Sequence, residues 1–351
     1  VISKKYRTAI TAAVVVPGLM LGACSKKEDE KASTTTSANG EAPAGAGSIT
    51  ISGSSTVEPI TALVAESFMA DNEVEISVDG PGTGDGFKLF CEGETDISNA
   101  SRPIKDEEAE ACEAAGVEFI ELKVAIDGLS VIAPESNTLE CLSFADLYAL
   151  IGPESEGFSK WTDAQALAAE LGSDTTFPDQ NLVITAPGTE SGTYDSFVEL
   201  VIEKAGEARV EAGKITEDEV GAARADYSAS PDDNAIIEGV ATDDGGLGWV
   251  GFAFADQADG VRLMPVAAEA GGECVEPTAA TIQDGSYPIA RDLFIYVNKA
   301  KAEENSSLAS FVDYYLEGLT GFVEEADYVA LADPAETVKA WEDRQVGTRQ
   351  G

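Results

Sequence analysis

Histidine is absent from the 351 residues, and cations are scarce: 22 Lys and Arg, eight of them arginine, stand against 64 Asp and Glu. Without histidine no Ser–His or Cys–His nucleophile pair can form, and Gly188-Thr-Glu-Ser191-Gly192 lacks the G-x-S-x-G spacing of a nucleophile elbow. A formal net charge of −42 excludes a nucleic-acid partner, because phosphate backbones require clustered Lys and Arg. Cysteine is limited to five, none at C-x-x-C spacing, so no zinc site or other metal site is expected. Outside residues 9–21 no run is long and apolar enough to cross a bilayer, and no repeat of solenoid period is visible. What is present is 44% hydrophobic residues over a length that suits two or three domains of ordinary size.

The N-terminus reads as a separate object. Lys4, Lys5 and Arg7 precede a short apolar stretch from Ala9 to Leu21, too short to span a membrane and suited to a secretory signal. It ends in Leu21-Gly-Ala-Cys24, which resembles the lipobox of bacterial lipoproteins. The resemblance implies cleavage after residue 23 and lipidation of Cys24, with the protein held on the outer face of the cytoplasmic membrane. Residues 24–47 carry no large apolar side chain and read as a flexible tether. The remaining Cys91, Cys112, Cys141 and Cys274 suggest two disulfides among three possible connectivities.

The chain is organised around Ala186-Pro-Gly-Thr-Glu-Ser191-Gly192-Thr193-Tyr-Asp-Ser-Phe197. Leu182 to Thr185 predict a buried strand, and Tyr194, Phe197, Val198, Val201 and Ile202 fall on one helical face. Ser191 and Thr193 therefore stand at a helix start, where unpaired N–H groups and partial positive charge favour an anion. The construction recurs three times. A strand over 48–52 runs into Gly53-Ser54-Ser55-Thr56 and a helix through Ile60, Val64 and Phe68. Val74, Ile76 and Val78 lead to Gly80-Pro-Gly-Thr83-Gly-Asp-Gly86 and a helix through Phe87 and Phe90, without the pattern of a Rossmann fingerprint or a P-loop. Asp96-Ile-Ser-Asn-Ala-Ser101-Arg102-Pro103 precedes an acidic helix near 105–115. An arginine is a poor choice for a helix entrance but a good one for gripping an oxyanion bidentately. Further on, 117–120 and 129–133 predict strands separated at Asp127-Gly128, 141–171 reads as helical, and 247–252, 261–266 and 293–297 predict strands.

Taken in order, GSSTVEP (53–59), GTGDGF (82–87), DISNASRP (96–103) and TESGTYDSF (189–197) together resemble the PstS family of bacterial phosphate importers. DDNAIIEGVA (232–241), GGLGWVGFAFA (245–255) and YPIARDLFIYV (287–297) extend the resemblance over residues 50–345. It implies an α/β, type II periplasmic-binding-protein fold: two α/β lobes with a ligand cleft, one lobe from 48–128 and 257–351, the other from 129–256. Its implied ligand is inorganic phosphate and its implied partners are the transmembrane permease subunits of an ABC importer. No cofactor is implied, and the protein is expected to be a monomer. Carried over by position, the binders are Ser55, Thr56 and the N–H of Val57, then Thr83, Ser101 and Arg102, and from the far lobe Ser191, Gly192 and Thr193. Enteric members carry an Asp where this chain has Ser101, and an Arg where it has Pro187. Arg102 is expected to replace that cation, and Asp85, Asp127 and Glu190 are candidates for the carboxylate that accepts the proton of hydrogen phosphate.

Sulfate or another tetrahedral oxyanion is the alternative ligand, and an adhesive or structural lipoprotein the alternative class. The expected disulfides are Cys91–Cys112, tying the helix after the glycine loop to the next helix, and Cys141–Cys274, joining the start of one lobe to a late polar excursion.

Overall fold

A computed structural model describes residues 47–347. The expected signal peptide at 1–23, the expected lipidation site Cys24 and nearly all of the expected tether at 24–47 lie outside the described residues. None of the described helices is long and apolar enough to cross a membrane.

Alternation at Ile49 and Ile51 produces β1 (Ile49–Gly53), and Pro59 sits in the first turn of α1 (Glu58–Asp71), where its missing N–H costs nothing. Ile60, Val64, Ala65 and Phe68 are the buried stripe of that helix. Then come β2 (Ile76–Asp79), α2 (Thr83–Cys91), β3 (Ile97–Ala100) and α3 (Asp106–Ala115). β1 pairs in parallel with β2 and with β3, so the three following turns leave from the same edge of the sheet. Gly53 has a φ of +145°, and a side chain there would collide with the Asn99 carbonyl; one at Gly86 would collide with Gly53 itself. Glycine at both positions lets the start of α2 lie directly on the end of β1.

The chain next enters β4 (Phe119–Pro134), a strand of 16 residues. The break expected at Asp127-Gly128 does not occur. Both residues pair with the strand Ala290–Asn298, opposite Arg291 and Ala290, and this long-range ladder overrides the local turn signal. The region expected to be helical at 141–171 opens on a short strand, β5 (Leu142–Ser143), before α4 (Phe144–Ile151) and α5 (Gln165–Glu170). β6 (Val183–Ala186) leads through the 187–191 turn to α6 (Gly192–Phe197), which passes through a π-helical turn at Val198–Ile202 into α7 (Glu203–Glu211). β7 (Ser228–Ala229), α8 (Asp233–Ala241) and β8 (Gly246–Gly251) follow. The strand expected at 261–266 is divided by Pro265, which has no N–H to continue a ladder, into β9 (Val261–Leu263) and β10 (Val266–Ala267). β11 (Ala290–Asn298) then returns antiparallel to both β3 and β4.

The principal sheet runs β2-β1-β3-β11-β4-β8-β6-β7, with β9 also on β4. β4 serves two halves: residues 119–128 pair with β11, and residues 129–134 with β8 and β9. The first half buries Ile51, Val64, Ile97, Leu122, Ile295, Phe311 and Tyr315 on one face, and Phe87, Phe90, Phe294 and Tyr296 on the other. The second half is built around Val131, Tyr148, Trp161, Phe197 and Trp249. Met264, Val266, Ile282, Tyr287 and Ile289 also belong to that second core. β9 pairs with β4 and β10 with β5. Cys91 is bonded to Cys112 and Cys141 to Cys274, the expected pairing.

At the start of α8, Asp233 is half-buried, and burial together with the neighbouring Asp232 and Asp327 carboxylates pushes its pKa up to about 6. The unfolded chain releases that proton near the ordinary aspartate value of 3.8, so the folded state holds it more tightly. The contribution is fully present below pH 4 or so and is lost as pH rises through about 6. Asp233→Asn should therefore raise the melting temperature at pH 7 and flatten its decline between about pH 4 and 6, measured by calorimetry across that range. An unchanged pH profile would show that Asp233 is solvated as an ordinary carboxylate.

Candidate functional site

The site is assembled from turns at the carboxyl ends of parallel strands, where an α/β sheet leaves helix N–H groups and side chains facing a crevice. After β1, Ser54 organises the turn: its Oγ accepts from Thr56 N at 3.2 Å and its carbonyl from Val57 N at 3.2 Å and Glu58 N at 3.0 Å. Val57 is fully buried and its N–H is used inside this turn. After β2 and β3, Thr83 and Ser101 are brought together, with hydroxyl oxygens 3.0 Å apart and Ser101 N donating to Thr83 Oγ1 at 3.2 Å.

Arg102 lies beside them, its guanidinium 5.6 Å from the centre of the Phe87 ring. Its fork meets Glu108 bidentately, both contacts at 2.8 Å, and Nη1 also donates to the Pro103 carbonyl. Burial alone would push the Glu108 carboxyl up. The bonds from Arg102 and from the Lys105 N–H outweigh it and hold the group below the ordinary range. The hydrogen bond to Glu108 in turn raises Arg102, against its own burial.

From the second half, Ser191 caps α6 as the sequence predicts, its Oγ accepting from Thr193 N at 3.2 Å. The turn is braced by Tyr227, whose hydroxyl donates to the Pro187 carbonyl at 2.6 Å. This helix start faces the β1 turn: a Cβ on Gly192 would lie 3.6 Å from the Ser55 carbonyl oxygen and 3.7 Å from Thr56 Cα. Ser55 Oγ donates to Asp195 at 3.4 Å, and the hydroxyls of Thr56 and Ser196 are 3.3 Å apart. Ser55, Thr56, Ser191, Gly192 and Thr193 are thus gathered on one side of the crevice, with Thr83, Ser101 and Arg102 as a second group. Glu199 on the π-helical turn accepts from Arg291 Nη1.

Arg291 lies beneath the facing turns of Thr56 and Ser196. Its side chain is only 9% exposed, and Nη2 donates to Ser196 Oγ at 2.7 Å and to Thr56 Oγ1 at 3.2 Å. Behind it, Nε stands 3.6 Å from Asp127 Oδ2, beyond hydrogen-bonding distance, and neither atom has another partner. Burial pushes the Asp127 carboxyl up, against the pull of Arg291. Of the three acceptor candidates, only Asp127 is buried, beside Arg291. Asp85 is exposed on α2, and Glu190 is exposed with its carboxylate folded over Gly188. Arg291 and Ser196 were not singled out from the sequence as site residues. The one available signal was the rarity of arginine combined with its position at the entry to an apolar strand.

Fold and crevice together define a two-lobed solute-binding protein of the periplasmic-binding type. Residues 33–317 match the family model described as PBP superfamily domain. The protein SphX of Synechococcus elongatus is 38% identical over 299 residues, 85% of this chain and 81% of that protein. The phosphate-binding protein PstS of Staphylococcus saprophyticus is 32% identical over 331 residues, 93% and 91% of the two chains. The crystal structure of a possible phosphate binding protein from Planctomyces limnophilus aligns with a TM-score of 0.75 at 35% identity, covering 86% of this chain and 99% of that one. The chain belongs to the PBP superfamily, among its PstS-like members.

Proposed function

We propose that the protein captures inorganic phosphate in the crevice between its two lobes and delivers it to the permease of an ABC importer. The observation that carries this reading is the convergence of hydroxyl-bearing turns from both halves of the sheet around two guanidinium groups. A dianion cannot be drawn to a chain of net charge −42 by overall charge, so local donors must hold it. We assign the ligand contacts to Ser55, Thr56, Thr83, Ser101, Arg102, Ser191, Gly192 and Thr193; the Val57 N–H, expected among them, is bonded to the Ser54 carbonyl instead. The relatives are solute-binding receptors, and no catalytic turnover is expected. In this reading the lobes are residues 48–128 with the chain from β11 onward, and residues 129–289. The receptor works as a monomer, tethered to the outer face of the cytoplasmic membrane through Cys24.

A ligand that binds only the folded protein stabilises it by RT ln(1 + [L]/Kd), about 2.7 kcal/mol at 100 Kd. For a domain of this size that corresponds to a rise in melting temperature of roughly 4 °C. Titration of the purified protein with phosphate should show this rise without added metal, and sulfate should give a smaller one. A melting temperature independent of phosphate would refute the assignment.

A further inference from the structure

We propose that Arg291 is a positioning residue that fixes the hydroxyl polarity of the Thr56–Ser196 pair, so that the pair meets the ligand as a hydrogen-bond donor. The proposal rests on the phosphate reading above and extends it to a residue outside the expected contact set. A serine or threonine hydroxyl carries one proton and two lone pairs, so it can present either polarity to a ligand. Here a single nitrogen, Nη2 of Arg291, donates to Ser196 Oγ at 2.7 Å and to Thr56 Oγ1 at 3.2 Å. A guanidinium has donors only, so each hydroxyl must turn a lone pair to it and its proton elsewhere. Thr56 comes from the first half of the sheet and Ser196 from the second, so one buried cation sets the polarity of both walls at once.

The placement of Arg291 supports this role. It lies on the strand that returns between the halves, opposite Asp127 in register, and its side chain is 91% buried. Its Nε and Asp127 Oδ2 are buried without hydrogen-bond partners and 3.6 Å apart, so the guanidinium is held through its Nη atoms rather than by a closed pair with Asp127. Nη1 is taken by Glu199. The two hydroxyls are 3.3 Å apart, so one donates to the other and the pair is left with a single outward O–H backed by positive charge. An oxyanion reaching Thr56 would meet that donor, whereas a ligand offering a donor there would face an unpaired contact.

The test is a double-mutant cycle by isothermal titration with inorganic phosphate, using the parent, Arg291→Gln, Thr56→Val and both together. Each single change should weaken binding by roughly 10- to 100-fold. The double variant should fall short of the product of the two by about tenfold, because the Thr56 hydroxyl loses its enforced polarity once Arg291 is gone. Losses that simply multiply would overturn the proposal and leave Arg291 a structural brace. If Arg291→Gln shows no cooperative melting transition, Arg291→Lys replaces it in the same cycle; as a donor-only cation of different shape it should give a smaller loss and a correspondingly smaller coupling. Ligand-free melting temperatures of all variants identify any loss that comes from folding alone. A parent protein that does not bind phosphate would overturn the functional reading and this proposal together, whereas additive losses in a phosphate-binding parent overturn this proposal alone.

Discussion

Arg102→Ala should weaken phosphate binding by roughly 100-fold or more, since hydrogen bonds to charged groups are worth about 1.5–3 kcal/mol and a second penalty acts in the same direction. That penalty is Glu108. In the parent its carboxylate is 16% exposed and neutralised by the Arg102 fork at 2.8 Å. Removing the guanidinium leaves an uncompensated negative charge beside Thr83 and Ser101, where the dianion is expected. The Glu108 carboxylate also accepts from Lys105 N at the start of α3, so it is held in place by the backbone. Arg102→Lys should recover only part of the affinity, because a point charge cannot reproduce the bidentate contact. Arg102→Ala combined with Glu108→Gln should bind more tightly than Arg102→Ala alone. Isothermal titration decides the matter. Parent-like affinity in Arg102→Ala would show that the pair only secures α3 and contributes nothing to the ligand.

Loss of the Cys141–Cys274 bridge should destabilise the protein by about 5 kcal/mol in the chain-entropy description, because it closes a loop of 133 residues. The bridge between Cys91 and Cys112 spans 21 residues and should contribute about 3 kcal/mol on the same basis. The difference arises in the unfolded chain, where the longer loop has more freedom to lose. In the folded protein the longer bridge secures a small structure: β5 beside β10, with Val266 also bridged to Val275. Cys141→Ala with Cys274→Ala should lower the melting temperature by roughly 8 °C, given about 1.6 °C per kcal/mol for a domain near 300 residues. Calorimetry of both paired variants tests the order. A larger loss on removing Cys91–Cys112 would show that local packing, rather than loop closure, dominates.

Several features were legible without the fold. The four strand–turn–helix junctions depend on windows of a dozen residues, where apolar periodicity and glycine, serine and proline placement act locally. β1 with α1 and β6 with α6 accordingly formed where periodicity placed them, and Ser191 caps its helix as read. The two disulfide partners followed from the expected neighbours of their helices and loops. Local reading failed where a distant strand decided the outcome. Asp127-Gly128 has the composition of a turn, yet pairing with β11 draws it into a continuous strand and buries the carboxyl. Residues 261–289 join the second core because β9 and β10 find partners in β4 and β5, a choice no window of sequence contains.

The same division runs through the site. Helix starts, hydroxyls and the scarcity of cations were written in the chain itself, and they were enough to point to an anion. The partners of the two arginines were not. Arg102 meets Glu108 because α3 turns its first carboxylates back over the β3 turn, and Arg291 meets Thr56 and Ser196 because β11 returns between the halves. Hydrogen-bond partners and burial are properties of the packed pair of half-sheets, set by register and long-range closure rather than by neighbouring residues. The sequence alone thus determined which groups could recognise an oxyanion, and the tertiary structure decided which of them are free to do so and which hold the others in position.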